Sequence, residues 1–178
     1  MPENVVFVLT SKIMEERLPA IVAKRPLFPF FRRISNIIGF RKIYCPYWCI
    51  SLEATAAQKF RRDQTLKLLV TVDGMTGDVG YAKSIPDGAE AREESLRDRM
   101  KVKVTQNEAW EKAKDFALRL FMRKVFFLKE VLSEIKETRL VYYPYWIVEV
   151  QKNHERFRRV VDAIHGEFND RIIHLLEK

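Results

Sequence analysis

Short apolar runs separated by turn residues dominate the pattern along this chain. Val5-Val6-Phe7-Val8-Leu9 is a β-branched and aromatic run of the kind found in buried strands. Thr10 or Ser11 then caps a helix whose apolar face is Ile13, Met14, Leu18, Ile21 and Val22, with a kink or break at Pro19. From Pro29, the spacing of Phe30, Phe31, Ile34, Ile37 and Ile38 predicts a second helix closed by Gly39. Ile43–Leu52 reads as a strand apolar on both faces, so covered on both sides, with Pro46 marking an edge, a start or a bulge. Ala54–Asp63 reads as a polar, basic connection. Leu66–Val72, the turn Asp73-Gly74-Met75-Thr76-Gly77 and Val79–Ala82 form a hairpin.

Ser84–Gly88 reads as a linker, and Ala89–Arg99 as a solvated helix or arm. Val102 and Val104 alternate, and Thr105 and Asn107 are candidate caps for a long helix over Glu108–Ile135. Leu140–Val150 and Phe157–Asp162 are the next strands. Phe168 follows as a return, and a short helix around Ile172–Leu176 closes the chain.

Two stretches of this pattern repeat. Tyr44, Pro46, Tyr47 and Trp48 recur as Tyr142, Pro144, Tyr145 and Trp146, 98 residues on, and Val72-Asp73 with Gly77 recurs as Val161-Asp162 with Gly166, 89 residues on. A self-match at long period points to a duplicated unit. The expected fold class is therefore α+β: two tandem repeats, each a helix packed on an antiparallel sheet, pseudo-symmetric. The expected division is 1–88, with an insertion in the basic Ala54–Asp63 connection, and 89–178. An aromatic-Pro-x-Trp strand followed by Val-Asp-x-x-x-Gly is similar to small bacterial hairpin modules, and the Val-Asp-x-x-Thr-Gly ending resembles the PepSY-type unit, a helix on an antiparallel hairpin. The second copy departs from it, with His165 in place of the Thr. The resemblance implies a binding or regulatory role in place of a catalytic one.

Charge changes the picture. The net charge of +8 sits in one stretch: Lys24–Arg62 holds nine cations against Glu53, and the rest of the chain balances. Arg32, Arg33, Arg41, Lys42, Lys59, Arg61 and Arg62 form the candidate basic face, interleaved with Phe28, Phe30, Phe31, Phe40, Tyr44, Trp48 and Phe60. Cations flanking an aromatic core account for this without function. Functionally it suits an acidic protein or polyanion, nucleic acid, or a peripheral anionic membrane surface. A second subunit of the same chain is another possible acidic neighbour.

Other chemistry is sparse. Tyr47, Trp48, Tyr145 and Trp146 are core aromatics or, alternatively, a ligand platform. Asp73 and Asp162 are expected to cap their own turns. Cys45 and Cys49, four apart on a strand, lie beyond disulfide reach and read as reduced core residues. The three histidines lack metal-ligand spacing, the six glycines form no phosphate loop, and no nucleophile elbow is present, so neither cofactor nor metal is expected. The first expectation is a non-enzymatic binding or scaffold module. A nucleic-acid-associated protein comes next, and an enzyme with a pocket between repeats is third. No apolar run is long enough to span a bilayer and the N-terminus lacks signal-peptide features, which suggests a cytoplasmic protein.

Overall fold

The computed structural model describes residues 7–24, 36–59, 62–84, 89–91, 98–124, 128–152 and 155–176. Seven strands form one mixed sheet: β1 (Phe7–Leu9), β2 (Asn36–Gln58), β3 (Gln64–Asp73), β4 (Val79–Ala82), β5 (Ala89–Ala91), β6 (Leu128–Lys152) and β7 (Glu155–Asp162). Their order is β4-β3-β2-β6-β1-β5, with β7 pairing β6 off that path. Helices α1 (Leu18–Lys24), α2 (Gln106–Lys124) and α3 (Ile173–Leu176) complete the fold with single 3₁₀ turns at Glu15–Arg17 and Asp170–Ile172.

Two tandem helix-on-antiparallel-sheet repeats are therefore not what the chain builds. The sheet is single and mixed, since β1 runs parallel to β6 (Phe7 opposite Val141, Val8 opposite Tyr142). The helical parts are unequal, 19 residues in α2 against 7 in α1. Each half is also incomplete alone. Contacts divide the chain into two compact units, one of Met1–Leu9, Cys45–Ser95 and Arg99–Tyr143, the other of Thr10–Tyr44, Leu96–Asp98 and Pro144–Lys178.

In the first unit β2 and β3 pair antiparallel from Tyr47 opposite Asp73 to Ala56 opposite Gln64. Ile50, Leu52, Ala54 and Ala56 alternate inwards with Leu68, Val70 and Val72. Against them α2 sets Ala109, Ala113, Ala117 and Phe121. Alanines on both surfaces let helix and sheet approach closely. The helix starts in a capping box: the Thr105 N–H donates to Glu108 Oε2 (2.7 Å) and the Glu108 N–H to Thr105 Oγ1 (3.3 Å). In the second unit β6 and β7 pair from Tyr145 opposite Asp162 to Lys152 opposite Glu155. Leu18 packs there on Trp146, Val148, Val150, Val161 and Ala163.

Several local expectations are corrected. Ile37 and Ile38 belong to β2, not to a helix ending at Gly39, while residues 25–35 lie outside the described set. Ala54–Gln58 is strand, not a connection, because Ala54 and Ala56 alternate into the core beneath α2, and β3 begins at Gln64. Helix α2 stops at Lys124, and β6 takes over from Leu128 as the spacing changes from helical to alternating. Pro19 makes no kink: α1 begins at Leu18, so the proline falls in the first turn, where no helical partner for its nitrogen is needed. Ala89–Ala91 is a strand antiparallel to β1. Phe168 forms a single bridge to Val161.

Gly77 and Gly166 close the Asp73 and Asp162 turns with φ of 76° and 73°. Gly77→Ala or Gly166→Ala should each cost about 1 kcal/mol, because a Cβ is disfavoured in the left-handed region. Urea denaturation midpoints check this, with Gly39→Ala, at a glycine without positive φ, as the milder control.

Candidate binding surface

The recurring residues build the same turn twice. Asp73 Oδ1 accepts the N–H groups of Met75 (2.7 Å) and Thr76 (3.0 Å); Asp162 Oδ1 accepts those of Ile164 (2.7 Å) and His165 (2.9 Å). Both aspartates thus do the turn chemistry read from the sequence. His165 Nδ1 also lies 3.2 Å from Asp162 Oδ2, a contact Thr76 does not reproduce. The Gly74 N–H donates to the Pro46 carbonyl (2.8 Å), and Ala163 repeats this with Pro144 (3.2 Å).

The carbonyl after each aspartate then holds a distant segment. The Gly74 carbonyl accepts the N–H groups of Lys103 (2.8 Å) and Val104 (2.9 Å). The Ala163 carbonyl accepts those of Lys12 (2.9 Å) and Ile13 (2.8 Å). Each tryptophan closes the same link: Trp48 Nε1–H donates to the Val104 carbonyl (2.8 Å) and Trp146 Nε1–H to the Ile13 carbonyl (3.0 Å).

This geometry places the four aromatics. Trp146 is 3% exposed and Tyr145 5%. Trp48 is half-buried against the α2 core, and Tyr47 is half-buried with its ring edge-on to Tyr143 at 6.1 Å. Phe40 meets Trp146 edge-on at 5.8 Å, and Lys42 Nζ lies 4.5 Å from the centroid of that indole. Lys42 is thus partly engaged in a cation–π contact within the second unit.

Among the basic residues, Arg32, Arg33 and Arg61 lie outside the described set. Arg41 is exposed on β2 in the second unit. Lys59 and Arg62 are exposed in the first unit, at the end of the β2–β3 hairpin. There the Gln58 side chain donates to the Arg62 carbonyl (3.1 Å) and the Gln58 N–H reaches Asp63 Oδ1 (3.3 Å), fixing the turn that carries the cations.

Cys45 and Cys49 are buried free thiols. Burial pushes Cys45 up to about 12, with the charge of Asp73 adding to it, and pushes Cys49 up to about 11, against an opposing effect of Arg139. Both stay protonated at neutral pH and are poorly suited to attack as thiolates. Among the described residues, no three His, Cys, Asp or Glu side chains converge as a metal site. No described helix is long and apolar enough to cross a membrane.

One surface feature escapes the sequence reading: a groove between α2 and β6. Gln106, Trp110 and Lys114 line it from the helix and Ser133–Thr138 from the strand, enclosing about 580 Å³. The helix predicted through Ile135 hides it. The available signal was the alternation of Val131, Ser133 and Ile135 with Glu130, Leu132, Glu134 and Lys136.

No family model, curated protein or solved structure matches this chain.

Trp146→Ala should destabilise the protein by about 3–5 kcal/mol, through lost packing and the lost indole hydrogen bond to the Ile13 carbonyl, which keeps its bond from Ser11 Oγ; an unchanged denaturation midpoint would contradict the tie. The thiols give a pH prediction. Unfolded cysteines ionise near 9.0 and the folded ones only near 12 and 11. Above 9.0 the unfolded state gains from ionisation while the folded state does not, so stability falls as pH rises toward the folded values. Cys45→Ala/Cys49→Ala should lose less stability than the parent across that window.

Proposed function

We propose that the protein is a non-enzymatic binding module that contacts an acidic partner protein through its basic stretch. The observation that carries this is the placement of the net charge: all of the +8 falls within Lys24–Arg62. Exposed Lys59 and Arg62 sit beside a turn braced by Gln58 and Asp63, and Arg41 is exposed on β2. Cations on a fixed hairpin end attract an acidic surface with a reach set by the Debye length, about 10 Å at ~0.1 M salt. The resemblance to PepSY-type modules points the same way, toward binding. Thiols held protonated by burial also favour a binding role over thiolate catalysis.

The experiment is pull-down from native lysate at low salt, with and without nuclease, using the parent and Lys59→Gln/Arg61→Gln/Arg62→Gln. The parent should retain an acidic protein after nuclease treatment, and the triple variant should lose it while keeping its denaturation midpoint. Retention should weaken steadily as salt rises. Loss of all binding on nuclease treatment would move the reading to nucleic acid. Equal capture by the variant would remove the hairpin end from the site.

A further inference from the structure

Among the described residues, one edge of β6 in the first unit has no strand partner over most of its length. On the side away from β2, β1 pairs it only at Val141 and Tyr142. Among the described residues, no strand pairs with positions 128–139 on that side. Unpaired strand edges present backbone donors and acceptors and invite another strand. Natural edges are commonly guarded by lysines or by charge of one sign. This one carries alternating sign instead: Lys129, Glu130, Glu134, Lys136, Glu137, Arg139.

That alternation fits a particular occupant. When β6 is laid antiparallel on a second copy of itself, centred on Ser133, Lys129 falls opposite Glu137 and Glu130 opposite Lys136. Val131 falls opposite Ile135, on the face that packs against α2. Centring on Leu132 puts Glu130 opposite Glu134. Centring on Glu134 puts that carboxylate opposite itself and Lys129 opposite Arg139. Directly opposed charges favour a pairing when unlike and oppose it when like; centring on Ile135 opposes only Glu134 and Lys136, so the Ser133 register, with two kinds of unlike pair and no like pair, gains most. In the single chain Lys136 pairs with Glu134 (2.6 Å) and Arg139 with Glu137 along the strand. Exposed pairs of that kind contribute little, so sharing these charges across the edge costs little.

The groove beside the edge is lined by Glu111, Lys114, Asp115 and Leu118 of α2 with Val131 and Ser133 of β6. Helix α2 carries Trp110, Lys114, Leu118 and Met122 at four-residue spacing, and Lys114 and Leu118 face Val131 and Ser133 across the groove. Leu118 is 38% exposed and Met122 65%, while Leu132, 60% exposed, alternates onto the opposite sheet face. A twofold axis through the Ser133 pair stands perpendicular to the sheet. It keeps both α2 helices on the same face and turns their Trp110–Met122 stripes toward each other. Backbone pairing, charge register and exposed apolar surface thus converge on one partner.

We infer that the protein forms a twofold homodimer in which the β6 edges of two copies pair antiparallel about Ser133 and join their sheets. Sedimentation equilibrium of the full chain tests this. The parent should be a dimer. Lys136→Glu and Glu130→Lys each place two like-charge pairs at the interface and should weaken dimerisation on the order of tenfold. An equimolar mixture of these two variants should recover association, because each then meets its complement, and so should the double variant Glu130→Lys/Lys136→Glu. Leu118→Glu, outside the strand, should weaken the dimer while circular dichroism shows a folded chain. A monomeric parent overturns the inference, including the case where an extended segment of another protein takes the edge. Single variants that dimerise as tightly as the parent, or a mixture that fails to recover, also overturn it.

Discussion

Two backbone carbonyls, those of Gly74 and Ala163, hold the architecture together. Each sits inside a tight turn, just after an aspartate that has already turned the following N–H groups inward, and each accepts two N–H groups from a far part of the chain. Buried main-chain polar groups must be paired, so a turn folded against the core either finds such donors or is disfavoured. The donors are Lys103 and Val104 for the first turn and Lys12 and Ile13 for the second. The tryptophan indoles then bind the carbonyls of Val104 and Ile13, so each link is made in both directions.

This constraint explains why neither half of the chain is self-sufficient. The segment leading into α2 docks on the β3–β4 turn that precedes it. The segment leading into α1 docks on the turn that follows β7, which arrives some 150 residues later. Deep burial follows directly after each link: Ala109 and Leu18 are fully buried at corresponding points, one under a long helix and the other at the start of a short one. The difference between Gly74 and Ala163 has the same local origin. A Cβ on Gly74 would come within 2.9 Å of the Pro46 carbonyl oxygen, whereas the second turn carries an alanine at that place. The hydrogen bond from that position to the proline carbonyl is correspondingly longer, 3.2 Å against 2.8 Å.

What the sequence made legible was local. The Asp-x-x-x-Gly turns, the exact bounds of β4, the buried thiols and the Thr105 cap follow from side-chain chemistry acting within a few residues, and the structure has them. The repeated Trp and Asp were visible, but what they hold was not, because Lys12-Ile13 and Lys103-Val104 are too short a match to notice alone. Element type failed where the chain switches period. Phe116 and Leu120 at helical spacing run into Val131 and Ile135 without a break in hydrophobicity, and only the change to alternation marks β6. The Ala54–Gln58 segment read as polar connection because alanine carries little hydrophobic signal; its burial comes from the closeness of α2. Of the candidate surface, the location of the charge was legible and its arrangement was not, since Arg41 and Lys59 belong to different compact units.

The long β2–β3 hairpin sets what kind of surface this chain can present. Its strands continue to Gln58 and from Gln64, so the basic turn projects at the end of a paired ladder that α2 stiffens from one side. Toward the hairpin end, the other side of the sheet carries Ser51, Glu53, Thr55, Thr65 and Lys67, with Thr55 Oγ1 and Thr65 Oγ1 hydrogen-bonded at 2.9 Å, while Cys45 and Cys49 further along that face are buried. Only the polar end of that face tolerates water without a covering layer. Exposed apolar side chains lie at Leu118 and Met122 on α2 and, on the opposite sheet face, at Leu132. Charge at the hairpin end and apolar surface along the β6 edge are therefore served by different residues. The two surfaces are separately open to mutation.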